Sequence, residues 1–368
     1  MKKVESLQAF RAIAFLFVFL SHTELCPTGS IGVSMFLVLS GFLMAFSTYR
    51  KPMMGPVTFR SSVRFAVAKI SRLYPLHMIT LGMMLAYTVL LLWKDGFPAA
   101  SVQKTILSLP LNALLLQTWV PDEAVYFTFN KVSWYLSVCL FIYLIFPYFF
   151  NKLRSYTIPR LWFAGFMIVA VQCVSAFAAQ MALPEPIRPQ LIKWITYICP
   201  LFRSGDFFLG TILGLLCIKY DVQPEETAKR SFRYSVLECL CLLLCCVTII
   251  WRQMAPLCMR YGIIYLPVSL LGVWLFYKQR GYLVRGLTNK VLIRIGNVSA
   301  YAFLIHQMTI HLMKFLVKDI WLLSIVSLAF TIVFSVVYGK LEKYILVVLI
   351  AYLMGTSSMS YYLAKLNA

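Results

Sequence analysis

Apolar residues fall in long, almost uninterrupted runs along this chain, with the polar and basic residues confined to the short gaps between them. Six stretches contain no Asp, Glu, Lys or Arg: residues 25–49, 73–93, 132–151, 161–184, 295–313 and 320–339. Most reach the ~20 residues a helix needs to cross the hydrocarbon core of a bilayer. The first holds a Pro-Thr-Gly-Ser turn, so its helix is expected from Ile31 onward. Shorter or interrupted spans fit residues 9–26, 194–218, 234–251 and 261–277. The pattern predicts an all-α polytopic membrane protein with about ten transmembrane helices.

Composition agrees. Of 368 residues, 61% are hydrophobic and 13% charged, where soluble domains carry about 25% charged residues. A soluble enzyme and a disordered chain are both excluded. The net charge of +21 would suggest a nucleic-acid partner, but the basic residues sit between the apolar runs. With the N-terminus cytoplasmic, the inner segments hold 22 of the 34 Lys and Arg and the outer loops nine. That asymmetry is the positive-inside rule, so the charge requires no nucleic acid. Lys2 and Lys3 before an apolar segment imitate a secretory signal, but no A-x-A-like cleavage site follows and Arg11 interrupts the pattern; a retained first helix is expected. The ten Cys are scattered through apolar runs without metal or CxxC spacing, as for small packing residues.

This orientation keeps residues 94–131 outside, so the charge-free run at 105–121 is expected to be short or re-entrant. Residues 344–364 form a further charge-free run that ends in polar residues, leaving an eleventh helix open. No internal repeat or linker divides the chain. The expected organisation is one membrane domain over residues 1–343, then a C-terminal tail or additional helix over 344–368.

Ionisable groups inside a bilayer are functional hypotheses by default. Arg11 and His22 are 11 residues apart, which returns them to within about 20° of one helical face, separated by about 16 Å along the axis. The plain alternative is that Arg11 snorkels to the inner headgroups and His22 closes the outer end. Gly29, Gly32, Ser40 and Gly41 allow close backbone approach beside this helix. The inner segment contributes Arg50, Lys51, Arg60, Arg64, Lys69 and Arg72, either a phosphate-binding surface or a solvated basic loop. His77 is expected at the inner interface. His306 is expected near mid-membrane beside Ser299, Tyr301 and Gln307, with His311 on another face. Trp134 and Tyr135 fit an interfacial aromatic belt, and Arg203 and Asp206, at i and i+3, fit a mutually neutralising pair. No G-x-S-x-G, Walker loop, metal-ligand spacing or paired carboxylates are present.

In order along the chain stand FRAIAFLFVFLSH, GSIGVSMFLVLSGFLMAF, ISRLYPL, LLLQTWV, VSWYLSVCLFIYLIFP and GNVSAYAFLIHQ. Together these resemble the acyltransferase-3 family of integral-membrane acyltransferases, over nearly the whole chain. The resemblance implies ten core membrane helices in the inner membrane of a bacterium. It also implies an acyl-CoA co-substrate, often acetyl-CoA, with no permanently bound cofactor, and O-acylation of a carbohydrate or other cell-envelope acceptor. Arg11 and His22 match the signature pair. Arg72 matches the basic position thought to serve the CoA phosphates, with Lys69 and Arg64 on the same inner segment. Ser40 and Gly41 belong to the SGF turn, and Trp134, Ser299 and His306 fall on recurrent acceptor or pocket positions. The chain departs from the pattern at Gln8 and Cys139, where members often carry carboxylates, and it lacks the periplasmic hydrolase-like domain that many of them bear.

The mechanism the resemblance supports is threading of acyl-CoA from the inner face, with Arg11 at donor phosphate or thioester carbonyl and His22 as general base. An imidazole suits that task because its ordinary pKa, about 6.5, lies near working pH. Two other readings stay open: a secondary transporter, and an acyltransferase acting on a small molecule or lipid-linked sugar at the inner face.

Overall fold

In the computed structural model the described residues are 4–50, 56–225 and 229–353. They form fifteen α-helices: α1 (Glu5–His22), α2 (Gly29–Arg50), α3 (Phe59–Ile70), α4 (Tyr74–Lys94), α5 (Ala99–Ala113), α6 (Glu123–Tyr126), α7 (Trp134–Leu153), α8 (Ile158–Ala182), α9 (Arg188–Lys193), α10 (Pro200–Lys219), α11 (Phe232–Trp251), α12 (Leu266–Lys278), α13 (Tyr282–Leu287), α14 (Lys290–Lys314) and α15 (Ile320–Leu353). Short 3₁₀ turns and one π-helical turn, Trp194–Ile198, join them, and among the described residues there is no strand.

Seven helical segments are long and apolar enough to cross a membrane: Gly29–Arg50, Tyr74–Lys94, Lys131–Leu153, Ile158–Ala182, Arg188–Lys219, Phe232–Trp251 and Ile320–Glu342. The chain is a multi-pass helical membrane protein. The other three segments in the sequence reading are helical as well but fall short of that measure. α1 has 18 residues and carries Glu5, Arg11 and His22; α14 has 25 residues and carries Arg294, His306 and Gln307; Ile263–Lys278 is a shorter apolar helix. The run at 105–121 is divided between α5 and a 3₁₀ turn, and the chain reverses at Leu115, whose φ is 57°. α15 continues without a break past residue 343 to Leu353, and residues 354–368 lie outside the described residues.

Four helices make the centre. α2 packs against α10, and α1 against α14 and α2. The α2/α10 contact is backbone on backbone: a Cβ at Gly41 would overlap the Phe207 carbonyl, and one at Gly210 the Val38 carbonyl. Small residues let membrane helices approach this closely, where dispersion and weak polar contacts replace the hydrophobic drive that lipid removes. Thr211 Oγ1 donates to the Gly41 carbonyl at 3.3 Å across the seam. Gly296 of α14 lies the same way against the Gln8 carbonyl of α1, so the two helices that carry the candidate imidazoles are held in close register.

Arg203 and Asp206 are the internal pair the spacing predicts. They are fully buried and 3.0 Å apart, and Arg203 Nη2 donates to Ser34 Oγ at 3.1 Å while Gln172 Nε2 donates to Asp206 Oδ1 at 3.1 Å. A buried pair is tolerable when further hydrogen bonds occupy its remaining donors and acceptors. Helix α3 starts at a capping box between Thr58 and Ser61 and lies against α7, presenting Arg60, Arg64 and Lys69 to the exterior. His77 is buried, and its Nε2 donates to the Asn112 carbonyl at 3.0 Å, tying α4 to α5.

Candidate active site

Arg11 and His22 open into two different cavities along the seam between α1 and α14. The Arg11 cavity, about 100 Å³, is lined by Arg11, Ser40, Lys69, Tyr135, Cys139 and Tyr143, together with Phe303 and Leu304. Five helices meet there: α1, α2, α3, α7 and α14. Among the described residues no carboxylate pairs with Arg11; Tyr135 and Tyr143 line the cavity with it. A guanidinium presents five donors and always carries charge, so one that lines a cavity without a counter-ion suits an incoming carbonyl or phosphate oxygen.

The His22 cavity, about 330 Å³, is lined by His22, Glu24, Glu123, Lys131, Trp134, Tyr197, Gln307 and His311. It mixes aromatic faces with polar groups, and its size falls within the range of small-molecule pockets. Two ion pairs brace its rim, Lys193 to Glu123 at 2.8 Å and Lys314 to Glu24 at 3.2 Å.

His306 stands between the two cavities. It is fully buried, 5.0 Å from the His22 ring centroid to centroid, and surrounded by the rings of Phe15, Phe19 and Phe303 at 5.9, 6.2 and 5.9 Å. Its Nδ1 lies 3.2 Å from the Ala302 carbonyl. A carbonyl only accepts, so Nδ1 carries the proton and Nε2 keeps a lone pair, buried and without a partner among the described residues. The cavities approach one another along α14: Leu304 lines one and Gln307 the other, three residues or about 4.5 Å apart by helical rise. On α7 the adjacent residues Trp134 and Tyr135 divide between them in the same way.

Not every predicted residue comes to these cavities. Arg11, Ser40 and Lys69 line the first, and His22 and Trp134 the second. Gly41 is spent on the α10 contact. Arg64 is exposed on α3 and lines neither cavity. Ser299 is buried, donating to the Gly296 carbonyl at 2.8 Å, and lines neither. Arg72 is engaged within the protein: Nη2 donates to the Tyr301 hydroxyl at 2.7 Å and Nε to Glu342 Oε1 at 3.0 Å, while the Tyr301 hydroxyl donates to Glu342. His311, expected on another face from His306, shares the cavity of His22. Tyr143, Tyr197, Glu123 and Lys131 were not singled out from sequence. A tyrosine inside an apolar run carries no periodic signal that separates a cavity wall from ordinary core. Among the described residues no group of three His, Cys, Asp or Glu could hold a metal ion.

A helical bundle that places along one seam two imidazoles and a guanidinium with no carboxylate partner among the described residues defines a multi-pass membrane protein with an internal site for polar chemistry. Comparison supplies the class: the chain belongs to the acyltransferase-3 family, whose acyltransferase domain matches residues 4–340. It is accordingly an enzyme that transfers acyl groups. Among characterised proteins it is similar to the acyltransferase MdmB of Streptomyces mycarofaciens, 28% identical over 286 residues, which is 77% of this chain and 68% of that protein. No solved structure matches the chain.

Proposed function

We propose that the protein transfers an acyl group, acetyl in the simplest case, from cytoplasmic acyl-CoA to a hydroxyl of a carbohydrate or other cell-envelope acceptor. In this reading it spans the inner membrane of a bacterium ten times, with its N-terminus and the Arg11 end facing the cytoplasm. The observation that carries the reading is the division of Arg11 and His22 between two adjoining cavities. A cavity of about 100 Å³ is below the size that encloses a whole small molecule. CoA therefore inserts only its acyl-pantetheine arm, which passes Arg11 and carries the thioester on toward His22, leaving the nucleotide outside against Lys69, Arg64 and Arg72. The larger His22 cavity receives the acceptor, with the aromatic faces of Trp134 and Tyr197 beside it.

His22 acts as the general base. Its lone pair takes the acceptor hydroxyl proton as the oxygen attacks the thioester carbonyl; the C–S bond breaks, and CoA leaves as the thiol. Arg11, about 16 Å from His22 along α1, holds oxygens of the donor's phosphate or pantetheine portion, and this positions the thioester carbonyl for attack at His22. In this reading His306 orients the His22 ring when substrate is bound: its own Nδ1–H is bound to Ala302, so its Nε2, unpartnered among the described residues, accepts from an N–H of His22, which leaves the other His22 nitrogen free for the substrate.

Equilibrium binding of labelled acetyl-CoA to the purified protein tests the donor half of the reading. Wild type and His22→Ala should bind, and Arg11→Ala should lose affinity. If wild type does not bind, or all three bind alike, the donor assignment is wrong. Product sidedness in sealed vesicles then separates delivery across the membrane from acylation at the inner face.

A further inference from the structure

A large cavity lies apart from both halves of the site. It is a cleft of about 890 Å³ between α7, α8 and α10. Along α8 it runs from Arg160 to Ser175, about 22 Å by helical rise, or roughly two thirds of a 30 Å hydrocarbon core. Phe149, Phe163, Met167 and Phe208 make its walls. Most of its polar donors are turned to internal use: Ser175 Oγ donates to the Gln172 carbonyl at 3.1 Å, Ser204 Oγ to the Leu201 carbonyl at 2.6 Å, and the Gln172 amide N–H groups to the Phe202 carbonyl at 3.0 Å and to Asp206.

One end differs. Lys152 from the end of α7 and Arg160 from the start of α8 both line it. Both are exposed, and no carboxylate pairs with either among the described residues. A slot that is apolar for two thirds of the bilayer and doubly cationic at its mouth complements one kind of molecule: a long alkyl chain ending in an anionic headgroup.

We propose that this cleft is a specific binding site for an anionic glycerophospholipid, with an acyl chain along α8 and the headgroup phosphate between Lys152 and Arg160. Guanidinium and ammonium donors bind phosphate oxygens by charge-assisted hydrogen bonds, and basic pockets between membrane helices are known sites for acidic headgroups. The inference does not depend on the acyl-transfer reading, since it uses no residue of either catalytic cavity.

The test is native mass spectrometry of the full chain in detergent, titrated separately with dioleoylphosphatidylglycerol, dioleoylphosphatidylcholine and glycerol 3-phosphate. Wild type should retain one phosphatidylglycerol per chain in preference to phosphatidylcholine. Reversal of both charges, Lys152→Glu with Arg160→Glu, should weaken retention about tenfold or more. Ala164→Trp, which fills the cleft and leaves the cations in place, should weaken it as well. Lys152→Gln with Arg160→Gln provides a milder pair, and thermal melting shows that each variant is folded. Equal retention of phosphatidylglycerol by wild type and the folded variants, or equal retention of the two lipids, would reduce the cleft to ordinary bilayer contact. Displacement of phosphatidylglycerol by glycerol 3-phosphate would mean a headgroup site without a chain slot. Either result overturns the proposal.

Discussion

The imidazoles of His22 and His306 stand 5.0 Å apart with their planes inclined by 56°, one lining a cavity and the other enclosed behind it. His306 has its Nδ1–H committed to the Ala302 carbonyl and offers a single free nitrogen lone pair. In the proposed mechanism the pair serves as a base and its orienting partner, with an imidazole in the place that a carboxylate fills in other enzymes.

Replacing His22 by Ala should lower turnover by about 10² to 10⁴, the usual contribution of general-base catalysis. Labelled acetyl-CoA should still bind, so the loss falls on kcat and not on donor affinity. A variant that keeps near-normal turnover would remove His22 from the chemistry.

For His306, Phe preserves the bulk within the ring cluster and removes the acceptor nitrogen. The expected result is a loss of about tenfold or more in kcat, or at least ~1.4 kcal/mol of barrier, with donor binding unchanged. Single-turnover kinetics with wild type and His306→Phe decide it; an unchanged rate would mean that His306 only packs.

Arg72 is divided between Tyr301, Glu342 and the donor it is proposed to serve. Its guanidinium is about two-thirds exposed, so the Glu342 pair contributes at most about 1 kcal/mol to stability. Glu342→Gln should therefore leave the melting temperature almost unchanged while tightening acetyl-CoA binding, and Arg72→Ala should weaken binding. Both effects should shrink as salt is raised, because exposed charges are screened beyond about 10 Å at 0.1 M. Weaker binding by Glu342→Gln would show that the pair builds the donor site instead of competing with it.

Gly41→Leu should be among the most disruptive single changes, since its side chain would enter the Phe207 backbone and part the tightest helix pair. We expect loss of folded protein in detergent, measured by melting and size-exclusion chromatography, at a cost of several kcal/mol, the range of severe core overpacking. Retention of wild-type stability would show that α2 and α10 have room to move apart.

Glu225, between α10 and α11, pairs with Lys278 and, at 3.1 Å, with Arg280. The hydrogen bond from Lys278 is the main cause that holds its carboxyl below the ordinary carboxylate range. A carboxyl so lowered contributes stability in full above its unfolded value of about 4.3 and loses it as pH falls through the folded value. Wild type should thus exceed Lys278→Ala by about 1 kcal/mol or less at pH 7, a margin that closes below about pH 4. Melting of both proteins from pH 7 to pH 3 checks it, and a margin independent of pH would rule out this origin.

Much of this architecture was legible in the chain. Length and apolarity of the runs mark the long helices, since a backbone in lipid must satisfy its hydrogen bonds within the helix. A spacing of 11 residues puts Arg11 and His22 on one stripe of α1, and i, i+3 spacing anticipates the Arg203–Asp206 pair. The segment at 105–121 reads correctly as too short to be a full span.

What lies opposite that stripe was decided by tertiary structure alone. Helical periodicity states which side chains share a face of their own helix; it does not say which neighbour that face meets, or at what height. Here the close approaches at Gly296 and Gly41 set those heights. They bring His306 against His22, divide Trp134 from Tyr135 and Phe303 from Gln307 between two cavities, and place Tyr135 and Tyr143 near Arg11. The same approaches leave Ser299 and Gly41 as packing, because two helices in backbone contact leave no space there for a cavity.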